Sequence, residues 1–184
     1  VSGHNKWSKI KHKKAATDAV KSKTFSKHAS FIAVESRKAK GDTSSPALIA
    51  AIERAKKDSM PKENIDRAVA KGMAADGASL TEVLYETYGP GGTALLITAV
   101  TDNPNRTTPE IKHLLSKQGY QLGVGGSASW AFTKTAEGYI PNMPINLSDE
   151  DGEKLSTLIE ALEANEDVQD IFTTADEQGG DGGE

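Results

Sequence analysis

The 184-residue chain contains no cysteine, which excludes a disulfide framework, thiolate catalysis, iron–sulfur clusters and cysteine-based zinc sites. A reducing compartment, the cytoplasm or its equivalent, is the expected setting. Aromatic residues make up 5% of the chain and hydrophobic residues 36%, enough for a core but sparse for a deep substrate cavity. His4, His12, His28 and His113 show no HExxH or paired-ligand spacing, so no metal site is expected. The longest apolar stretch, 94–100, includes Thr98 and is far shorter than the roughly 20 residues of a membrane-spanning helix. No apolar run follows the N-terminal lysines, so no secretory signal is read there, and a mitochondrial matrix location would require a presequence already removed. A P-loop and a nucleophile elbow are both missing, and the glycines of 89–92 and 123–127 read as turns. No cofactor and no enzymatic activity are expected.

What is present is charge, segregated along the chain. The net charge of −4 is made up of +9 over residues 1–40, +1 over 41–72, −2 over 73–147 and −12 over 148–184. Such asymmetry predicts one end that binds a polyanion and another that repels it.

The length allows one ordinary domain or two small ones. Residues 1–23 are too polar and too charged to nucleate a core and read as a basic arm that orders on a partner. Over 24–72 the spacing predicts three amphipathic helices in a small bundle. The first directs Phe25, Ala29, Ile32 and Ala33 to a core and shows Lys23, Lys27, Ser30, Val34, Arg37 and Lys38 as a basic stripe, with Gly41 as its stop. The second starts at Ser45-Pro46 with Leu48, Ile49, Ile52 and Ala55 as its apolar face. The third starts near Pro61, buries Ile65, Ala68 and Val69, and ends at Gly72.

Residues 73–79 read as a linker, 80–176 as an α/β domain and 177–184 as a disordered acidic tail. In the α/β segment, strands are expected over 83–88 and 93–101, joined by the turn Gly89-Pro90-Gly91-Gly92. Thr107 and Glu110 have capping-box spacing for a helix; strands follow over 128–133 and 139–147, then a helix capped by Ser148 and a strand over 168–174. The fold class is therefore α+β, a three-helix bundle followed by β-β-α-β-β-α-β, whose last six elements match the ferredoxin-like split βαβ.

The candidate site is a nucleic-acid interface formed by Lys6, Trp7, Lys9, Lys11, His12, Lys13, Lys14, Lys21, Lys23, Lys27, Arg37 and Lys38. Lysines neutralise phosphates and release counterions, and an indole can stack on an unpaired base. Asn103 and Arg106, in a polar loop before a helix, form a secondary candidate for a phosphate or a protein. The expected partners are DNA or RNA, including the ribosome, with no membrane and no small-molecule substrate. A protein-interaction module with the basic arm as accessory is the alternative. The acids 149–163 read as a solvated helix face rather than catalytic carboxylates.

GHNKWSKIKHKKAATDAVKSKTFSK, MPKENIDRAVAKG, YETYGPGG, TDNPNRT and GVGGSASWAF, with a closing block from IPNMPINLSDEDGEK to VQDIF, resemble the signature blocks of the YebC/PmpR family. That family includes the mitochondrial translational activator of cytochrome oxidase subunit one. The resemblance implies a three-helix N-terminal domain, an α/β domain, no catalytic residues and control of gene expression through nucleic acid. Members are described as DNA-binding transcriptional regulators, whereas the mitochondrial branch looks more like ribosome-associated translation factors. The family normally inserts a third domain between the strands at 128–133 and 139–147; here Lys134-Thr135-Ala136-Glu137-Gly138 alone joins them.

Overall fold

Two prolines, Pro46 and Pro61, and a left-handed turn after Lys38 divide the first part of the chain into helices, because proline fits a first turn and not a helix interior. The computed structural model describes residues 18–75 and 79–176, in an α+β architecture. By internal contacts these residues divide into two units, one of 18–75, 79–83 and 100–104, the other of 84–99 and 105–176.

In the helical unit α1 spans Asp18–Lys38, α2 Pro46–Lys57 and α3 Lys62–Met73. Lys40 (φ 51°) and Gly41 (φ 77°) turn the chain after α1, and the Gly41 amide donates to the Ser36 carbonyl at 3.0 Å. Ile32, Leu48, Ala51, Ala55, Met60, Ile65 and Ala68 form the common core. Gly72 does not terminate its helix. It is buried where α3 crosses α1, and a Cβ there would overlap the carbonyl oxygen of Ala33 and lie 2.8 Å from Ser36 Cβ. Beside it the Ser36 hydroxyl donates to the Val69 carbonyl at 2.8 Å. Two further assignments change. Ile49 is 45% exposed because Leu48, Ala51 and Ala55 take the inward face of α2, and Val34 is buried along with Ala33, Glu35 and Ser36. The basic stripe is therefore interrupted at Val34.

The α/β unit is organised by β2, Ala94–Thr101, which lies between β1, Thr81–Tyr88, and β5, Val168–Thr173. Its alternate residues are buried on both faces, as a central strand requires. Ala94 and Leu96 pack with Ala128, Ala131, Phe132 and Phe172, whereas Leu95 points the other way and shares the space beside Gly89 with Leu158 of the last helix. β1 and β2 are joined by a single 3-10 turn, Pro90–Gly92, in which Gly91 has φ 65° and Leu147 occupies the space a Cβ would need. α4 spans Pro104–Lys117, β3 Phe132–Thr135, β4 Gly138–Pro141 and α5 Asp149–Glu163. The Ser148 hydroxyl caps α5 by accepting from the Asp151 amide at 3.2 Å.

The ferredoxin-like order is not the one formed. It would place β4 beside β2, but the β1–β2 connection gives that edge to β1, and β3 and β4 make a separate two-stranded sheet. β4 has only four residues and ends at Pro141, and the chain beyond it touches the main sheet through a single parallel bridge, Ile145 to Ala175. The strand expected over 128–133 begins only at Phe132, after a 3-10 turn at Ser129–Ala131. The Thr107 capping box does not form either. α4 starts three residues earlier, at Pro104, and the buried Thr107 hydroxyl donates to Asp167 Oδ2 at 2.8 Å.

Candidate nucleic-acid interface

Each residue of an α-helix is rotated about 100° from the last, so Lys23, Lys27 and Lys38 fall within about 60° of one another on α1. Lys21 lies about 200° from Lys23, on nearly the opposite side of the helix. The side chains of Lys23 and Lys27 are half-buried along the helix, and Lys21, Arg37 and Lys38 are exposed. Lys6, Trp7, Lys9, Lys11, His12, Lys13 and Lys14 lie outside the described residues.

The two cations at the end of α1 are already engaged within the helical unit. Arg37 Nε donates to the Gly72 carbonyl at 3.3 Å. Lys38 bridges Glu35, at 3.2 Å, and Glu82. Burial raises the Glu35 carboxyl above its ordinary value, against the pull of Lys38. For Lys38, burial opposes the charged form, but hydrogen bonds to both carboxylates outweigh it and raise its affinity for the proton. A phosphate recruiting Lys38 would have to compete with two carboxylates, one of them buried.

The helical unit also displays cations that reading along one helix missed. Residues 18–75 contain twelve Lys or Arg against seven Asp or Glu, a net charge of +5. Lys40, Lys57 and Lys71 are exposed, whereas Arg54 lies over the Phe31 ring, 5.5 Å from its centroid. The α/β unit, 84–99 and 105–176, has the opposite balance, five bases against thirteen acids, a net of −8. A groove of about 560 Å³ runs between α2 and α3, floored by Ile52, Met60, Ile65 and Val69.

Arg106, the secondary candidate, is held by carboxylates. Its guanidinium pairs with Glu110 at 3.2 Å and with Asp167 at 2.9 Å. Asn165 donates to Glu110 at 2.9 Å, so this network ties the start of α4 to the loop before β5. Hydrogen bonds to Glu110 and then Asp167 raise the Arg106 pKa further, and the Asn165 amide followed by Arg106 lowers that of Glu110. Asn103 is exposed, and its backbone N–H donates to Thr101 Oγ1 at 3.0 Å.

The residue that the sequence did not mark is Glu86. It is 6% exposed, and its carboxylate accepts the backbone amides of Gly126 at 2.6 Å, Ala128 at 3.1 Å and Ser129 at 2.6 Å. Its own carbonyl accepts from the Gly123 amide at 2.8 Å. Burial alone would raise this carboxyl, but the three amides and the Ser129 hydroxyl outweigh it and hold the pKa below the ordinary value. Amides that a strand would have paired are thus directed to a side chain, which is why 129–131 forms a turn. The sequence signal was an acidic residue within the expected strand 83–88, whose other members are apolar or hydroxyl-bearing. Among the described residues no group of three or more His, Asp or Glu could hold a metal, and no helix is long and apolar enough to cross a membrane.

The blocks joined by Glu86, YETYGPGG and GVGGSASWAF, belong to a region that matches a known family. Residues 5–75 match the TACO1/YebC protein N-terminal domain, and residues 80–137 and 133–175 match the TACO1/YebC second and third domain. The chain belongs to the TACO1/YebC family. A relative in Petrotoga mobilis named "Probable transcriptional regulatory protein" is 44% identical over 180 residues, covering 94% of this chain and 70% of the relative. One of the same name in Thermotoga maritima is 49% identical over 136 residues, covering 73% and 54%. For a third, in Chloroherpeton thalassium, 36% identity extends over 236 aligned positions, more than the 184 residues of this chain, and covers 94% of each. Against several of these relatives the chain spans only 54 to 70% of their length. The crystal structure of a conserved hypothetical protein, Aq1575 from Aquifex aeolicus, superposes with a TM-score of 0.76 at 28% identity, covering 91% of this chain and 95% of that one. The second TACO1/YebC match is split at 133–137, and there this family member turns directly from β3 into β4.

Proposed function

We propose that this TACO1/YebC family member is a nucleic-acid-binding regulator of gene expression that acts by binding, without a catalytic step. It grips a phosphate backbone through the lysine-rich segment from Lys6 to Lys14 and the Lys23–Lys27 face of α1. The observation that carries this reading is the division of charge, +5 on residues 18–75 and −8 on the α/β unit, with the densest lysines immediately before α1. The name shared by the relatives, probable transcriptional regulatory protein, agrees with a regulatory role.

RNA, including ribosomal RNA, is favoured over promoter DNA. Duplex sequence is read mainly by Arg, Asn and Gln on a helix in the major groove, and the proposed face offers lysines. Lysine charge together with one indole, Trp7, suits sequence-tolerant binding to single strands. The working compartment on this reading is the reducing one in which translation occurs.

The test sets ribosome co-sedimentation at physiological salt beside binding to promoter fragments and to random duplex. If about six lysines contact phosphates, log K falls against log salt with a slope near −4 on single-stranded RNA and near −5 on duplex. Lys23→Glu with Lys27→Glu should reduce that slope by about 2. A flat salt response overturns the reading, and a preference for one promoter over random duplex by several kcal/mol would reassign the target to DNA.

A further inference from the structure

The α/β unit presents an aromatic surface that the basic helical unit does not explain. Trp130 is 70% exposed, yet its ring is fixed: the indole N–H donates to Tyr88 Oη and to the Ser127 carbonyl, each at 2.9 Å. Tyr88 Oη in turn donates to the same Ser127 carbonyl at 2.6 Å. The Trp130 carbonyl accepts from Asn142 Nδ2 at 3.2 Å, and the Asn142 amide donates to the Ala131 carbonyl at 2.9 Å. This continues the β3–β4 register by one pair, Ala131 with Asn142, and Met143, the next residue, is 80% exposed. The polar edge of the indole is consumed internally, so only its π face is offered to a partner. An exposed tryptophan held still in this way has little ordering entropy left to lose on binding.

Charge decides what that face receives. The unit carries −8 over its described residues, and two of its five cations, Arg106 and Lys154, are paired with carboxylates. The chain beyond Met143 leads within a few residues to Asp149, Glu150 and Asp151, and Ile145 bridges to Ala175 beside Asp176. A phosphate chain is repelled by such a surface. A guanidinium is attracted twice, by the field of the unit and by the negative face of the indole.

We infer that Trp130, held by Tyr88, is a docking site on the α/β unit for an arginine-bearing basic segment of a protein partner. Arginine fits better than lysine because its planar, weakly hydrated guanidinium stacks on an aromatic face.

The experiment uses the full chain carrying Trp7→Phe, so that Trp130 is the remaining indole. It is titrated with a decapeptide of alternating Arg and Ser, with the matching Lys peptide, and with a ten-nucleotide uridine RNA, following Trp130 emission and calorimetric affinity. The Arg peptide is expected to change the emission and to bind more tightly than the Lys peptide. Trp130→Ala should weaken Arg-peptide binding about tenfold with the circular dichroism unchanged, as expected for a largely exposed side chain. Trp130→Leu keeps apolar bulk without the π face and should lose binding to a similar degree. The inference is overturned if Trp130→Ala leaves Arg-peptide affinity unchanged, or if Trp130→Leu retains it. It is also overturned if the substitution weakens RNA binding instead, which would make this face a base-stacking platform.

Discussion

Replacing Glu86 by glutamine keeps the shape of the side chain and removes its charge, and the geometry of the three amides around it sets the cost. Oε1 accepts from Ala128 and Ser129, and Oε2 accepts from Gly126. If the amide oxygen of the substituted side chain takes the Oε1 position, its NH₂ group faces the Gly126 N–H, donor against donor. The remaining hydrogen bonds also lose their charge assistance. Hydrogen bonds to charged groups contribute about 1.5–3 kcal/mol and a stranded buried donor costs about 1–3 kcal/mol, so Glu86→Gln should destabilise the α/β unit by about 2–4 kcal/mol. Urea unfolding followed by Trp130 emission, in a Trp7→Phe background, should show a midpoint lower by about 1–2 M at unchanged slope. Hydrogen exchange should quicken selectively over 123–129. The pH dependence has a definite sign. A carboxyl whose folded pKa is depressed contributes its full stability above its ordinary value of 4.5 and loses it as pH falls through the folded pKa. The gap between the wild type and Glu86→Gln should therefore be widest at neutral pH and shrink below about pH 4.5. A loss under about 0.5 kcal/mol, or a gap that does not change with pH, would refute the assignment of this carboxylate as the clasp of the loop.

Gly72→Ala places a methyl group against the Ala33 carbonyl and Ser36 Cβ at the α1–α3 crossing, and should lower helical-unit stability by about 1–3 kcal/mol in a chemical denaturation curve. Lys38→Met leaves the buried Glu35 facing Glu82 without a cation. After discounting for the solvent reaching Lys38, the expected loss is about 1–2 kcal/mol at pH 7. Because the Glu35 pKa is raised, a neutral carboxyl is what the fold prefers. The penalty should fade as pH falls and grow as pH rises through the folded pKa. Gly138→Ala forces a side chain onto a residue with φ 142° and a Cβ position 2.5 Å from the Phe172 ring, so a thermal melt should show a loss of at least about 1 kcal/mol.

Local chemistry determined a good part of this protein directly from its sequence. Pro46 and Pro61 start α2 and α3, Ser148 caps α5, the 89–92 turn joins two strands, and each rests on the conformational limits of a few adjacent residues. The charge division and the family blocks were equally legible, since both are properties of the order of residues along the chain. Where neighbours are distant in sequence, that local reading stopped. Val34 looked solvent-facing from one helix's periodicity, but α1 is covered on more than one side and Val34 is buried. Thr107 looked like a cap until Asp167, sixty residues away, took its hydroxyl. The ferredoxin-like order failed because strand pairing depends on which edge is occupied, and β1 occupies the edge that β4 would need. Glu86 showed nothing of its role in the sequence, since its partners lie about forty residues away and are backbone amides. Periodicity and capping act over one or two turns, and composition sets the field of each segment. Buried polar pairing and sheet order are decided only when the whole chain has closed around them.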